Sequence, residues 1–416
     1  MYRSVVACLL TLVALATSLH AQPLHVGFAH RDITPELRDE RPVWVAGYGA
    51  GRRATGVHDP LFARCVVLKY EQRKIALVSV DLIGLQLAET RRIRQRLDGF
   101  DYVLVASTHN HEGPDVIGLW GPSHFQRGVD DEYLSLVVQR VVQAVREADK
   151  AATPVESVRF GTATDESLVN DSRQPIVKDG TLRTLEFHGT DQRRLGVLVQ
   201  WNCHPEAMGS RNTLLTADFP AATIEWLQEK SKTPVVYFSG AVGGLLAPPR
   251  GGRVKDEAGV ELKEGDFAYA WRYGQMVGEL TEQALRNGRR VSLTPFSIES
   301  REVALPLENP LYKAGRELGV LRREAFEWTG DSARPGPPIT LENAAADKAL
   351  VTEVATLRLG EVLLAAIPGE LYPELVTGAI QTPADPAAGF PRGADRAACG
   401  RHDGRSTPWL LFGLAN

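Results

Sequence analysis

The sequence predicts a mixed α/β fold of layered β-sheets flanked by helices, with a candidate metal site at strand ends. Three observations carry this. Short segments rich in β-branched residues alternate along the chain with segments of helical period. The alternation runs through most of the 416 residues, which calls for more than one sheet layer. Two apolar segments end in a histidine-bearing loop broken by Pro or Gly, where α/β enzymes place functional groups.

In chain order, strands are expected at Cys65–Tyr70, Lys74–Val80, Tyr102–Ser107, Gly196–Trp201, Pro234–Ser239, Ala355–Leu359 and Val362–Ile367. Each is short, apolar and bounded by turn residues. Helices are expected at Ala88–Leu97, Asp131–Ala148, Ala221–Lys230, Ala268–Arg286 and Pro310–Phe326. The second is the clearest: Leu134, Val137, Val138, Val141, Val142 and Val145 share one face, and its acidic start suits the helix dipole. Pro248–Gly265 and Gly330–Pro338 read as loops, and Ala384–Pro408 is dominated by Pro, Gly, Arg and Ala. The sequence shows no internal repeat and no boundary that divides the chain after its first 21 residues.

Composition is that of a globular protein able to bury a large core: 44% hydrophobic, 24% charged, net charge −4. Nothing in this balance points to nucleic acid or to an anionic membrane surface. Residues 1–21 read as a secretory signal, which implies a secreted or periplasmic protein. Met1-Tyr2-Arg3 is a basic start, Val5–Ala16 an apolar core too short to span a bilayer, and Thr17–Ala21 a small-residue cleavage region. Cys8 precedes the apolar core, so Val5–Cys8 is not a lipoprotein box. Cys65, Cys203 and Cys399 then remain; three cysteines make no disulfide framework, and Cys203 reads as a buried structural thiol.

Four segments carry chemistry. Ser107–Pro114 places His109 and His111 two apart after an apolar strand, on one side if the segment is extended. The pair suits metal ligation or hydrogen bonding to substrate, and equally two solvated loop histidines. Gln200–Glu206 puts His204 at another strand end, as a ligand or a cap. Ile367-Pro368-Gly369-Glu370 delivers a carboxylate after a third apolar strand, as a ligand completing a His-His-Glu set or as a surface residue. Phe238–Pro248 holds three glycines, suited to backbone N–H donation to an oxyanion or to a tight structural turn. It matches neither the phosphate-loop spacing nor the serine-hydrolase elbow.

Taken in order, these segments resemble the catalytic domain of the neutral/alkaline (non-lysosomal) ceramidases. The likeness rests on Val26-Gly27 with Asp32–Pro35, Thr55–Leu61 with Ala63-Arg64, Thr108–Pro114, Asn170–Pro175, His204-Pro205, Ala217–Pro220 and Pro368–Glu370. It covers most of residues 22–416. The resemblance implies a zinc-dependent hydrolase of a linear N-acyl (amide) bond, acting in sphingolipid metabolism and touching a membrane only peripherally through a lipid substrate. His109, His204 and Glu370 would bind one Zn2+. His111 and Arg173 would act beside it on the scissile amide, His111 by passing a proton to the leaving amine.

Two departures qualify this. The family carries a Ser in a G-D-x-S-P-type loop, whereas Gly243–Pro248 has none, so water activated by zinc is the expected nucleophile. The family also has a Tyr ligand downstream of the Glu and a separate C-terminal sandwich domain. Tyr372 does not match that Tyr, and the chain stops at Phe412–Asn416, which looks like the strand before it; we expect a catalytic domain incomplete at its C-terminal end, with a fourth ligand missing. Two other readings stand beside the main one: a zinc hydrolase of a different small amide or ester, and a non-catalytic lipid- or carbohydrate-binding descendant.

Overall fold

The structure is a computed structural model that describes residues 23–174, 176–377, 401–402 and 405–415. The signal segment, Cys8, Cys399 and most of Ala384–Pro408 lie outside the described residues.

Two five-stranded sheets dominate, and they have the same topology. The first runs in spatial order Tyr102–Ser107, Arg73–Val80, Phe62–Tyr70, His25–Asp32, Thr153–Pro154; the second runs Val235–Ser239, Arg194–Trp201, Thr181–His188, Ser157–Thr164, Arg289–Val291. In each, the two strands first named are parallel and the rest are antiparallel. In each, one helix crosses between the parallel pair (Leu87–Arg94; Asp218–Ser231), and a 20-residue helix follows (Asp131–Lys150; Phe267–Arg286). The chain therefore contains a structural repeat that the sequence hid. Strand order and strand directions are shared.

One position betrays the repeat. A Cβ on Gly27 would lie 1.9 Å from the carbonyl oxygen of Ala148, and one on Gly161 would lie 2.0 Å from that of Ala284. Each glycine sits in the strand that opens its unit, and each carbonyl belongs to the third-last residue of its 20-residue helix. Close helix–strand approach requires a bare Cα at both places.

The layers stack helix–sheet–sheet–helix. Val66, Leu68, Leu77 and Leu104 of the first sheet meet Leu185, Phe187, Leu198 and Phe238 of the second in one central core. The alternate residues, such as Cys65, Val67 and Val78, pack under Val137, Val138, Val141 and Val145; Val197, Val199 and Tyr237 pack under Tyr273, Val277 and Leu280. Both faces of each sheet are covered, which is why their strands read as continuous apolar runs. Phe296–Pro306, Lys348–Leu359, Val362–Ala366 and Trp409–Phe412, with Phe326–Glu327 beside them, form a third sheet. It joins the central core through Leu357, Leu364 and Phe412, and Phe412 stacks on Phe238 at 4.1 Å.

Every expected strand is present, with ends moved by up to seven residues. The helix expected at Pro310–Phe326 stops at Glu317: Leu318 caps it, Gly319 turns with φ +73°, and Phe326–Glu327 pairs as a strand with Lys348–Ala349. The Gly-x-Leu break overrides the apolar period there. Several strands were not foreseen, because their exposed or mixed faces lack an apolar run; Phe296–Pro306 is the longest. Cys65 and Cys203 are free, and both are buried, as expected for Cys203. No described helix is long and apolar enough to cross a membrane.

Candidate metal centre

Each of the three sheets sends one loop to the same spot. His109 follows Tyr102–Ser107 of the first sheet, His204 follows Arg194–Trp201 of the second, and Glu370 follows Val362–Ala366 of the third. The loops are tied together by backbone bonds: His111 N–H donates to Pro205 O (3.0 Å), and Gly243 N–H donates to Leu371 O (2.9 Å). Asn110, which sits between His109 and His111, donates from Nδ2 to Thr216 O at 2.8 Å. Asp59 accepts from Ala217 N–H (2.8 Å), so segments far apart in sequence close over the same loop.

The imidazoles are oriented by backbone carbonyls. His109 Nδ1 donates to Ile83 O, and His204 Nδ1 to Leu246 O, each at 2.7 Å. A carbonyl only accepts, so both rings carry their proton on Nδ1 and present the Nε2 lone pair inward. Both Nε2 atoms face one carboxylate: His109 Nε2 lies 3.2 Å from Glu370 Oε1, and His204 Nε2 lies 3.2 Å from Glu370 Oε2. Lone pairs facing carboxylate oxygens at that distance need positive charge between them. Two extra protons would make two buried imidazoliums side by side, with ring centroids 4.9 Å apart. One divalent cation meets the same need more simply, and 3.2 Å is close to the roughly 3.4 Å ligand–ligand edge of a tetrahedron with zinc-like bonds of about 2.1 Å.

His111 completes a buried trio. The candidate ligand atoms of His109, His111 and His204 lie within 4.8 Å of one another, so these three residues could bind a metal ion. Among the described residues neither ring nitrogen of His111 has a hydrogen-bond partner, and Tyr48 packs edge-on against the ring at 5.2 Å. Burial, followed by the neighbouring His109 and His204, pushes the His111 pKa well below the ordinary histidine value. The His109 and His204 rings facing it hold the Glu370 carboxyl far below the usual carboxylate range. Burial opposes charge on His204, but the Glu370 carboxylate outweighs it and raises that pKa.

His109 and His111 do converge, but not because the segment is extended. His109 has φ +67°, a left-handed conformation rare outside glycine, and this turn rather than strand alternation aims the ring at Glu370. The Gly-rich segment is a structural turn: Gly240 N–H donates to Trp201 O, Ala241 N–H to Asn202 Oδ1 and Gly243 N–H to Leu371 O, so these donors are spent. A Cβ on Gly243 would lie 2.6 Å from Glu370 O, which fixes how closely this turn supports the carboxylate. Arg173 reaches the same neighbourhood from another loop. Its guanidinium pairs with buried Glu374, lies 5.0 Å over the Tyr372 ring and packs on Gly244.

Arg52 went unmarked in the sequence. It is buried, pairs with Glu112 at 3.1 Å, and donates to the backbone oxygens of Ala46 and His111. It clamps the histidine loop from behind. Burial pushes the Glu112 carboxyl up to about 8 in spite of Arg52. No motif marks Arg52, since one of two adjacent arginines in a Gly-rich stretch looks like surface.

This geometry sits on a known fold. The crystal structure of neutral ceramidase from Pseudomonas aeruginosa superposes with TM-score 0.68 at 17% identity, covering 94% of this chain and 67% of that one. The fold is that of the neutral ceramidases. A second structure, of ceramidase complexed with C2, superposes with TM-score 0.67 at 17% identity, covering 94% and 68% of the two chains. No family model and no curated protein matches the chain.

Proposed function

We propose that this chain is a secreted or periplasmic zinc-dependent hydrolase of a linear N-acyl bond, with residues 22–416 as its ceramidase-like catalytic region and residues 1–21 as its signal peptide. The observation that carries it is the pair of carbonyl-locked imidazoles, His109 and His204, turned onto the two oxygens of Glu370. Imidazole and carboxylate are the ligand types zinc takes in hydrolases. Zinc held there would supply Lewis acidity, polarising an acyl carbonyl and making water a nucleophile near neutral pH.

The protein's own groups do the rest. His111 is neutral and has no hydrogen-bond partner among the described residues, so it is available to accept a proton from water and give it to the departing amine. Arg173, fixed by Glu374 and lying over the Tyr372 ring, offers a cation for a polar group of the substrate. The substrate would be a lipid amide, met at a membrane only peripherally. The absence of any Ser in Gly243–Pro248 favours water over serine as nucleophile and keeps a smaller amide or an ester as the second reading.

Metal analysis of protein purified without chelator should find about one zinc per chain, and the protein should hydrolyse N-acyl-sphingosine or a short-chain amide faster than matched esters. Absence of stoichiometric metal would sink the enzyme reading; preference for esters would favour the second one.

A further inference from the structure

Beyond Phe412 the chain leaves the third sheet and bonds to the strand ends of all three sheets within three residues. Gly413 N–H donates to Ser239 O (3.0 Å), at the strand end beside Trp201 in the second sheet. Leu414 N–H donates to Gly369 O (3.0 Å), the residue before Glu370, and Leu414 O accepts from Ser107 N–H (3.2 Å), two residues before His109. Ala415 N–H donates to Ile367 O (3.0 Å), at the start of the Glu370 loop. The contact at Ser239 carries on to both histidine loops. Ser239 Oγ donates to Thr108 O (2.6 Å), next to His109, and Gly240 N–H donates to Trp201 O (2.9 Å), three residues before His204.

The backbone is shaped for these contacts. Leu414 has φ +52°, a conformation that costs a leucine energy, and this turn lets one residue face Gly369 with its N–H and Ser107 with its carbonyl. The third sheet does not require the strain, since its pairing ends at Phe412. Gly413 has no room for a side chain: a Cβ there would lie 2.3 Å from Gly240 O. We infer that Gly413 and Leu414 are positioning residues for the metal centre. Their backbone holds the His109 and Glu370 loops at a fixed separation, ties in the His204 loop through Ser239 and Gly240, and so sets metal affinity. An ion with short bonds tolerates little drift in ligand spacing, and losing a group that orients a ligand costs about 10- to 100-fold in affinity. This inference rests on the ligand set proposed above.

The test varies Leu414 and measures zinc affinity by chelator competition. Leu414→Pro removes the N–H and cannot take a positive φ, so it should weaken zinc binding by about tenfold or more. Leu414→Gly keeps the N–H and enters φ +52° freely, so it should stay within about threefold of wild type. Leu410→Ala empties a buried site in the strand Trp409–Phe412; it should lower the unfolding midpoint of chelator-treated protein yet stay within about threefold in zinc affinity. Equal zinc losses in L414P and L410A would reduce the segment to a support of the fold and overturn the inference, as would L414P binding zinc within about threefold of wild type. Should L414P not fold, Leu414→Val, which keeps the N–H but resists a positive φ, carries the same expectation. Amide exchange of chelator-treated protein is a readout that needs no metal. In L414P the His111 and Gly243 amides, bonded to Pro205 O and Leu371 O, should exchange about tenfold faster or more, and unchanged rates would overturn the inference. Should wild type bind no zinc, the ligand set fails, while exchange still decides whether Leu414 ties the loops.

Discussion

The two sheet-and-helix units share one topology, yet they supply the metal centre differently. In the first unit the histidines follow the outer strand of the parallel pair, Tyr102–Ser107, and the loop after its neighbour offers only the carbonyl of Ile83. In the second the roles reverse: His204 follows the inner strand, and the loop after Val235–Ser239 offers the carbonyl of Leu246. Counted from the paired strand ends, Val80 with Ser107 and Trp201 with Ser239, Ile83 and His204 occupy equivalent places. One unit turns that place into a candidate ligand and the other into the brace for one. The units' common part is packing; their chemistry resides in loops, which can change without disturbing the sheets.

This comparison can be broken experimentally. The largest effect should come from the ligands: His109→Ala or His204→Ala should each lower zinc affinity by more than about a hundredfold, beyond the range of losing only an outer hydrogen bond. Retention of stoichiometric zinc in either variant, measured by elemental analysis, would count against the ligand set. Next, Gly27→Ala and Gly161→Ala should destabilise to similar extents, each by about 3 kcal/mol, since each forces a Cβ into a helix carbonyl. A difference of more than about 2 kcal/mol in urea unfolding would mean the two positions are not equivalent.

Arg52→Ala should cost about 3 kcal/mol by leaving buried Glu112, Ala46 O and His111 O without their shared donor. Arg52→Lys should keep much of that stability yet lower kcat, because one ammonium cannot hold Ala46 O, His111 O and Glu112 together. Equal stability and kcat losses across the two variants would remove the positioning role.

The smallest effect is a pH slope. The folded state keeps the Glu112 proton up to about pH 8, whereas the unfolded chain loses it near 4.5. The folded state thus binds more protons in this window, so stability falls as pH rises from about 4.5 to 8, by at most about 1.4 kcal/mol per pH unit for one group. Asp218, pushed up to about 7 by burial, adds to the slope in its lower part. Glu112→Gln should flatten the curve of chelator-treated protein between pH 7 and 8; an unchanged slope there would place the titration elsewhere.

The sequence by itself determined the mixed α/β class, the principal strands and long helices, and which residues to suspect. Apolar runs ending in His109, His204 and Glu370 are legible because a strand covered on both faces must be apolar and a loop must follow it. The repeat was not legible, since packing constrains pattern and volume rather than identity, and only Gly27 and Gly161 carry a fixed requirement. Nor were the left-handed turn at His109, the bracing carbonyls of Ile83 and Leu246, or the clamp by Arg52. Carbonyls are present at every residue and arginines are common. Which of them orients a ring or ties a loop depends on which distant segments meet there, and that is set by how three sheets pack.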